Sequence, residues 1–162
     1  MIHLNSAKET DLDTIANMAR EIWNVHYVDM VGQEQVDYML EKFYNRASLI
    51  EQMQVKKHSF YLIEQGKEAI GFLSVSSEND ADYFLHKFYI YSHKSNSGAG
   101  TETLNQLLKL VNPKTLTLTV NRENYKSINF YFKTGFKINR VEDFDIGEGY
   151  LMNDFVMVKQ CN

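Results

Sequence analysis

Cysteine, proline and long apolar runs are scarce or missing in this sequence of 162 residues. The single cysteine, Cys161, is the second-last residue, so neither an internal disulfide nor a cysteine metal cluster can form. No apolar run approaches the roughly 20 residues that a membrane-spanning helix needs. The amino terminus carries strand and helix signals where a signal peptide would have a basic and then an apolar region. We therefore expect a soluble, cytoplasmic protein with no metal and no membrane partner.

An excess of positive charge is also missing. The chain has 17 basic and 21 acidic residues, a formal net charge of −4, which opposes attraction to phosphate backbones and argues against nucleic acid as a partner. Hydrophobic residues make up 44% and charged residues 23%, a composition typical of globular proteins. The only proline is Pro113, and no Gly/Ser-rich linker divides the chain. We expect a single domain over residues 1–162, as a monomer or a homodimer.

The spacing of apolar residues predicts the element order β-α-α-β-β-β-α-β-α-β-β. The predicted strands cover residues 2–5, 60–63, 70–75, 83–91, 115–120, 136–143 and 150–159. The first predicted helix begins at Thr10 or Asp11. Three further helices are predicted over residues 33–50, 101–110 and 124–134, and the last of them ends at Gly135. A strand, a helix and a strand in succession between residues 83 and 120 predict a parallel pair, whereas the preceding three strands predict an antiparallel meander. The fold class is therefore mixed α/β (α+β).

A polar loop joins the fourth predicted strand to the following helix. Residues 95–101 read Ser-Asn-Ser-Gly-Ala-Gly-Thr, and backbone N–H groups of such a loop can converge with the positive helix end on an anion. Gly98 and Gly100 allow the backbone to approach phosphate oxygens closely. A diphosphate is the natural ligand, although glycine and serine also form ordinary turns. The loop lacks the Gly-Lys-Ser/Thr ending of a nucleotide-binding P-loop.

Three further segments give this loop a specific context. Residues 88–90 (Phe-Tyr-Ile) precede it, and residues 121–124 (Asn-Arg-Glu-Asn) and 130–136 (Phe-Tyr-Phe-Lys-Thr-Gly-Phe) follow the next strand. Together they resemble the acyl-CoA signature of the GCN5-related N-acetyltransferase (GNAT) superfamily, a Q/R-x-x-G-x-G/A loop and a later N-x-x-N…F-Y-x-K-x-G-F segment. The predicted element order matches that fold along nearly the whole chain. The loop departs from the pattern at Ser95, where Gln or Arg is usual, and at Asn96, where glycine is common.

The resemblance implies an enzyme that moves an acetyl group from acetyl-CoA to a primary amine of a small molecule, such as a polyamine, or of a peptide. Attack is direct, in a ternary complex, and acetyl-CoA is the cosubstrate without a metal. The implied fold is a single mixed, mostly antiparallel twisted sheet with a splayed central parallel pair and flanking helices. The implied cofactor contacts are Phe88, Tyr89, Ile90, Ser95, Asn96, Ser97, Gly98, Ala99, Gly100, Thr101, Asn121, Asn124 and Tyr131.

Two residues are candidates for proton transfer. Tyr131 falls on the family's tyrosine that faces the thioester sulfur, where it would stabilise or protonate the departing thiolate. Without this context it would be a core aromatic residue of an amphipathic helix. Some relatives place a carboxylate as general base in the fourth strand, near the position of Phe84 here. His86, on the same strand face as Phe84, is the nearest titratable candidate, and a structural histidine is its alternative.

The acceptor side has two candidate features. Trp23, His26 and Tyr27 end the first predicted helix, in a region that commonly walls the acceptor site in similar enzymes, although Trp23 also suits a core. Residues 142–154 hold five acids and no Lys or Arg, and would attract a cationic acceptor unless they form only a solvated loop. The acids are Glu142, Asp143, Asp145, Glu148 and Asp154, and Asp154 is the one we expect to contact substrate.

Two other functions stay open from the sequence. A non-catalytic acyl-CoA-binding regulatory module would use the loop without an acceptor, and Tyr131 argues modestly against it. A different nucleotide-binding domain would need the P-loop lysine or a G-x-G-x-x-G pattern, and both are missing. The sequence does not specify the acceptor, because acceptor pockets in such folds depend on variable helices and loops.

Overall fold

The structure is a computed structural model that describes residues 1–161. Contacts between residues divide the chain into two compact units. The first unit comprises residues 1–76 and 87–111, and the second comprises residues 77–86 and those from 112 onward. The strand Asp82–Ile90 therefore contributes its first half to the second unit and its second half to the first.

The first unit combines antiparallel strands with most of the helices. The strands are β1 (Ile2–Ser6), β2 (Ser59–Gln65), β3 (Glu68–Ser77) and β4 (Asp82–Ile90). Strand β1 pairs with β2 in antiparallel register, with Leu4 opposite Ile63, and β2 pairs with β3, with Leu62 opposite Phe72. The helices are α1 (Leu12–His26), α2 (Val28–Val31), α3 (Gln33–Tyr44), α4 (Arg46–Gln54) and α5 (Ala99–Val111).

Helix α1 follows its predicted pattern closely. Its apolar residues recur at helical spacing and form one buried stripe, as expected for a helix that packs one face against a core. The buried residues are Leu12, Ile15, Met18, Ala19, Ile22 and Trp23.

The single helix predicted over residues 33–50 is wrong, because the structure has two helices there. Asn45 separates α3 from α4 with an extended backbone, φ −67° and ψ 156°. Its Oδ1 accepts a hydrogen bond from the Ser48 backbone N–H at 2.8 Å, which caps α4. The short helix α2 was also missed, and it ends at Gly32, where φ is +87°. Asparagine and glycine thus set helix ends that the apolar spacing alone does not reveal.

The second unit contains the parallel strand pair. The first half of β4 runs parallel to β5 (Thr115–Asn121), from Asp82 opposite Thr115 to Phe84 opposite Thr117. The predicted parallel pair is confirmed, and its register ends at Phe84 and Thr117 although β5 continues to Asn121. The remaining elements are α6 (Tyr125–Lys133), β6 (Lys137–Gly147) and β7 (Tyr150–Gln160), with β7 antiparallel to both β5 and β6.

Alternation along β5 gives the second unit two distinct strand faces. Leu116 and Leu118 are buried on one face, and the intervening threonines point to the other. Lys159 lies opposite Leu116, and its Nζ donates a 2.6 Å hydrogen bond to the backbone carbonyl of Thr134, which caps α6. Helix α6 therefore covers the leucine face. We call the opposite face, with Thr117 and Thr119, the threonine face.

Over residues 1–161 the seven strands have the hydrogen-bonded order β1-β2-β3-β4-β5-β7-β6, in which β4 is common to both units. The arrangement is mostly antiparallel with one parallel pair and with helices between the strands. The predicted mixed fold class is confirmed. Within the same residues no helix is long and apolar enough to span a membrane.

Candidate active site

The end of β4 makes a close backbone contact with β3. Phe88, Tyr89 and Ile90, the predicted cofactor-binding strand end, are all half-buried. A Cβ atom built on Gly71 of β3 would collide with the carbonyl oxygen of Tyr89 and would lie 2.9 Å from the Cα of Ile90. Only glycine fits this approach, so β3 holds the end of β4 through a contact that any side chain would break.

The loop after β4 is folded onto a 3₁₀ turn at Ser92–Lys94. The Ser95 hydroxyl donates to the carbonyl of Ser92 at 3.0 Å, and the Ser97 hydroxyl donates to the carbonyl of Lys94 at 2.8 Å. Gly98 follows with φ +82°, in the left-handed region that favours glycine. The two predicted contact residues Ser95 and Ser97 therefore use their hydroxyls to shape the loop.

The loop opens directly into helix α5. Ala99 is buried, and Ala99, Gly100 and Thr101 form the first turn of α5, whose leading N–H groups have no acceptor within the helix. The first helical bond runs from the Glu102 N–H to the carbonyl of Gly98 at 3.1 Å. Asn96 is exposed beside this turn. A positive-φ glycine followed at once by a 13-residue helix can bind an anion through backbone donors and the helix dipole.

The basic residue beside the loop is already engaged. Lys94 Nζ lies 3.1 Å from Glu68 Oε2, so its charge is partly balanced by β3. An anion at the entrance of α5 would therefore depend mainly on the backbone donors.

Aromatic residues predicted for acceptor and cofactor come together in the first unit. The ring centroids of Trp23 and Tyr27 are 4.8 Å apart, and Tyr89 lies 5.7 Å from Trp23 and 6.3 Å from Tyr27. Trp23 is buried, whereas Tyr27 is half-buried. His26, the last residue of α1, is also half-buried. The end of α1 therefore packs against the end of β4.

Tyr44 belongs to the same cluster and was not singled out from the sequence. Its ring lies 5.8 Å from that of Trp23 and 6.1 Å from that of Phe72. Burial raises the pKa of Tyr44 well above its usual range, the neighbouring Tyr27 adds to this rise, and a hydrogen bond with Tyr89 opposes it. The phenol is neutral at physiological pH. In the sequence, Tyr44 is one of several residues on the apolar face of α3, and nothing there indicates that it contacts other tyrosines.

The Asn-x-x-Asn segment builds a turn and a helix cap in the second unit. Asn121 Oδ1 accepts from the Glu123 N–H at 2.9 Å, and the Asn121 carbonyl accepts from the Asn124 N–H at 3.0 Å. Asn124 is buried, and its Oδ1 accepts from the Ser127 N–H at 3.3 Å, which caps α6. Both asparagines thus have a local structural role, and contact of either with a cofactor stays a prediction.

Tyr131 is packed among the aromatic residues of its own motif. Its ring lies 5.4 Å from that of Phe130 and 5.3 Å from that of Phe136, and its exposed fraction is 8%. Gly135 reverses the chain with φ +98°, and the Phe136 N–H donates to the Tyr131 carbonyl at 2.9 Å. The motif therefore fixes the ring of Tyr131 at the end of α6.

His86 lies on the first half of β4 in the second unit. Its ring is 4.8 Å from that of Phe84, and its side chain is half-buried. Because side chains alternate along a strand, His86 shares the face of Phe84, which lies opposite Thr117. His86 therefore lies on the threonine face.

The acids of residues 142–154 are not a free cluster. Arg140 and Arg122, just outside the segment, pair with Glu142 at 2.8 Å and Asp143 at 2.7 Å. The Oδ1 of Asp145 accepts from the Gly147 N–H at 2.9 Å in the β6–β7 turn. The attraction for a cationic acceptor expected from five acids is thus reduced by two ion pairs.

Asp154 differs from the other four acids. It is 2% exposed, lies opposite Asn121 in the β5–β7 register and forms a side-chain hydrogen bond with Thr119. Burial raises the pKa of Asp154 to about 6, and nearby Asp143 adds to the rise, whereas Thr119 and Arg122 lower it. Burial dominates, so the carboxyl titrates close to physiological pH.

The model of the Acetyltransferase (GNAT) family matches residues 16–136 of this chain. This chain belongs to the GNAT acetyltransferase family. The resemblance inferred from the loop and from the later motif is confirmed, and so is the enzyme class, an acyltransferase.

Similar proteins extend over almost the whole GNAT chain. An uncharacterized N-acetyltransferase of Mycobacterium tuberculosis is 25% identical over 154 residues, covering 93% of this chain and 98% of the relative. The spermidine N(1)-acetyltransferase of Thermoplasma acidophilum is 26% identical over 167 residues, covering 98% and 97%. The crystal structure of PaiA N-acetyltransferase from Thermoplasma acidophilum in complex with coenzyme A superposes with a TM-score of 0.79, at 24% identity and 99% coverage of both chains. This last likeness supports the GNAT fold.

The GNAT chain holds two polar residues, joined by a side-chain hydrogen bond, that the sequence signalled only weakly. Asp154 is an acid directly before the apolar run 155–158, and Thr119 belongs to a Thr/Leu alternation on β5. An acid at the edge of a buried-type strand is the signal that would have marked Asp154 as an interior group. Among residues 1–161 no group of three or more His, Cys, Asp or Glu side chains is suited to hold a metal ion.

Proposed function

We propose that this chain transfers the acetyl group of acetyl-CoA to a primary amine by direct attack in a ternary complex, with residues 1–162 acting as one N-acetyltransferase domain. The observation that carries the proposal is the turn from β4 into α5, where Gly98 at φ +82° is followed immediately by the helix. Membership of the GNAT family and a structural relative that holds coenzyme A support acetyl-CoA as the donor.

In the proposed donor site, residues 95–101 bind the diphosphate through backbone N–H groups at the start of α5. Residues 88–90 offer backbone hydrogen bonds to the pantetheine arm, as a sheet edge does to an added peptide. Asn121 and Asn124 are further proposed cofactor contacts. The backbone donors and the helix end supply the positive potential, so the proposal needs no metal.

On the acceptor side, the proposal assigns Trp23, His26 and Tyr27 to the wall of the amine site and Asp154 to substrate contact. A relative named as a spermidine acetyltransferase, 26% identical over nearly the whole chain, supports a cationic, polyamine-like acceptor. A peptide amine is the other acceptor of the same chemical class. Tyr131 is the proposed proton donor to the thiolate, and His86 is the histidine candidate for the proton acceptor.

Donor binding can be tested at Gly100, in the first turn of α5. Gly100→Val should abolish most coenzyme A binding measured by calorimetry, because a branched side chain would block the approach of phosphate oxygens to the backbone. Gly100→Ala should also weaken binding, even though alanine favours a helix by about 1 kcal/mol over glycine. A loss of affinity in a variant whose helix is more stable points to the site and not to unfolding.

The matched control is Gly66→Asn in the β2–β3 turn, where φ is +65° and no atom lies within 4 Å of an added Cβ. Asparagine tolerates this backbone conformation, so the control should bind coenzyme A like the wild type. A wild-type protein that binds neither acetyl-CoA nor coenzyme A would overturn the proposed function.

A further inference from the structure

Asp154 is a carboxyl side chain in the interior of the second unit, and it takes part in none of the ion pairs formed within residues 1–161. Burial of an unpaired carboxylate is unfavourable. The adjacent guanidinium of Arg122 is directed elsewhere, because its Nη2 pairs with Asp143 at 2.7 Å and its Nη1 donates to the backbone carbonyl of Asp154 at 3.2 Å. The Thr119 hydroxyl is the side-chain partner that orients the carboxyl.

The position of Asp154 in the second unit is specific. It lies opposite Asn121, at the carboxyl end of β5 and beyond the last parallel pair, Phe84 with Thr117. Asp154 points to the threonine face, because Lys159, five residues later on a regular strand, points to the leucine face that α6 covers. Helix α6 carries Tyr131. The carboxyl of Asp154 and the tyrosine therefore belong to opposite faces of the same strands.

Acetyl transfer to an amine requires proton movements at two atoms. An ammonium ion first loses one proton to water, and the nitrogen lone pair then forms a bond to the thioester carbonyl carbon. The nitrogen becomes positively charged in that step, so a second N–H proton becomes acidic and must leave. The C–S bond breaks, and the thiolate takes up one proton to give the free thiol of coenzyme A. A base near the nitrogen and an acid near the sulfur serve opposite ends of this exchange.

We propose that the carboxylate of Asp154 accepts the proton that the attacking nitrogen loses as the C–N bond forms, and that the amine approaches from the threonine face. Thr119 is the positioning residue that holds the carboxyl. This inference rests on the proposed function and adds to it the proton acceptor and the side of attack. After each turnover the protonated carboxyl returns its proton to water.

Charged and titratable side chains act on Asp154 through charge or lie on the same face of the sheet. Arg122 and Asp143 act on it through charge, with opposite signs, and Glu142 lies directly opposite it on β6. His86 shares the threonine face from β4. Because Asp154 must be ionised to accept a proton, kcat/KM should fall as the pH drops below about 6. For an amine of pKa about 10, the slope of log kcat/KM against pH should be near 2 below this point and near 1 above it.

The test is the pH dependence of kcat/KM, measured by thiol release from acetyl-CoA with spermidine as the probe amine. Asp154→Asn should lower kcat by roughly 10²- to 10⁴-fold and should leave a single slope near 1 across the range. Thr119→Val keeps the Asp154 carboxyl but removes the hydrogen bond that lowers its pKa, so the inflection of log kcat/KM should move to higher pH. Asp143→Asn removes a repelling charge, so the inflection should move to lower pH. Asp80→Asn, an exposed loop residue with φ +58°, is the matched control and should leave the profile unchanged.

The outcomes separate the inference from the proposed function. If the inflection of log kcat/KM moves to higher pH in Thr119→Val and to lower pH in Asp143→Asn, the result supports Asp154 as the proton acceptor even if Asp154→Asn fails to fold. If the carboxyl were merely structural, neither substitution would move the inflection. If Asp154→Asn keeps the steeper acid limb while His86→Gln loses it, the acceptor is His86 and the inference is wrong. If the wild type releases no thiol with any amine, the proposed function itself fails and the inference falls with it.

Discussion

At the scale of single residues, the hydroxyl of Tyr131 is the proposed proton donor to the leaving thiolate. Its ring is fixed by Phe130 and Phe136, so Tyr131→Phe should keep the fold and the affinity for coenzyme A. The variant should lower kcat by roughly 10²- to 10⁴-fold, because the proposed role of the hydroxyl is exerted mainly when negative charge develops on sulfur. A tyrosine of pKa about 10 cannot fully protonate a thiolate of about 8.5 without cost, so the contribution we expect from Tyr131 is mainly a strong hydrogen bond.

The measurement is steady-state kinetics of Tyr131→Phe, with the melting temperature and the coenzyme A affinity recorded alongside. Phe132→Leu, an exposed change on the same helix, is a suitable control and should keep kcat. An unchanged kcat in a well-folded Tyr131→Phe protein, with chemistry rate-limiting, would assign Tyr131 to the core alone.

Asp154 also predicts a dependence of stability on pH. Its pKa is raised from the ordinary value of 3.8 to about 6 in the folded state, so the folded protein binds more protons than the unfolded chain between these values. Stability contributed by the protonated carboxyl is therefore lost as the pH rises from about 4 to 6. Asp154→Asn should raise the free energy of unfolding by about 1 to 3 kcal/mol at pH 7 and by much less at pH 4.

Denaturant unfolding of Asp154→Asn and wild type at the two pH values checks this prediction. The signature is a variant that is more stable and less active, as expected where a charge is kept in the interior for function. Equal stability of the two proteins at pH 7 would mean that Asp154 is well compensated in the fold.

The sequence predicted some of these residues better than others. Tyr131 and Asn124 could be proposed as site residues because they belong to a motif with fixed spacing; the structure gives their packing and capping, and their roles toward the cofactor stay predictions. Tyr44 could not be singled out, because its partners Tyr27 and Tyr89 are distant in the sequence and meet only in the folded chain. The interior position of Asp154 was signalled only by its place directly before the apolar run 155–158, since its contacts depend on the register of β7 against β5.

At the scale of elements, the end of β4 depends on one glycine of β3. Gly71→Ala places a methyl group against the backbone of Tyr89 and Ile90, which cannot move as a flexible side chain could. We expect a loss of about 1 to 3 kcal/mol in the free energy of unfolding and weaker coenzyme A binding, since residues 88–90 are the proposed pantetheine contact.

Chemical denaturation and calorimetry on the same preparations measure both effects of Gly71→Ala. Gly66→Asn again serves as the control, because its turn is open and should lose less than about 1 kcal/mol. If Gly71→Ala were as stable as this control, the close approach of β3 to β4 would not constrain the strand end.

Most elements could be predicted from periodicity, and the exceptions have local causes. The alternation of β5 and the stripe of α1 agree with the structure because each element buries one face. The division of residues 33–50 at Asn45 was missed because a single capping side chain interrupts an otherwise continuous apolar pattern. Helix α2 was missed because its four residues are too short for a periodic signal.

At the scale of the whole molecule, the net charge of −4 and the acids of residues 142–154 favour a cationic acceptor. A polyamine should therefore show a higher kcat/KM than a neutral amine or a carboxylate-bearing amine of similar length. Because Arg122 and Arg140 already pair with two of the acids, we expect only a modest fall, roughly 2- to 10-fold, between low and high salt.

A panel of amines assayed by thiol release at several salt concentrations measures this preference. An amine whose low pKa leaves it uncharged at the assay pH provides the internal control, because its kcat/KM should not change with salt. If a carboxylate-bearing amine were the best acceptor and insensitive to salt, residues 142–154 would be a solvated turn without a role in selection.

The proposed reaction of this GNAT chain moves an acetyl group from acetyl-CoA onto an amine nitrogen. The most direct test is nuclear magnetic resonance of the reaction with acetyl-CoA labelled with ¹³C in the acetyl group, with spermidine as the acceptor. We predict that the thioester signal disappears and that an N-acetyl amide signal grows in equal amount, only when enzyme and amine are both present. If the label appeared as free acetate and not as the amide, or if protein-bound acetyl-CoA stayed unreacted, the proposed N-acetyl transfer would be wrong.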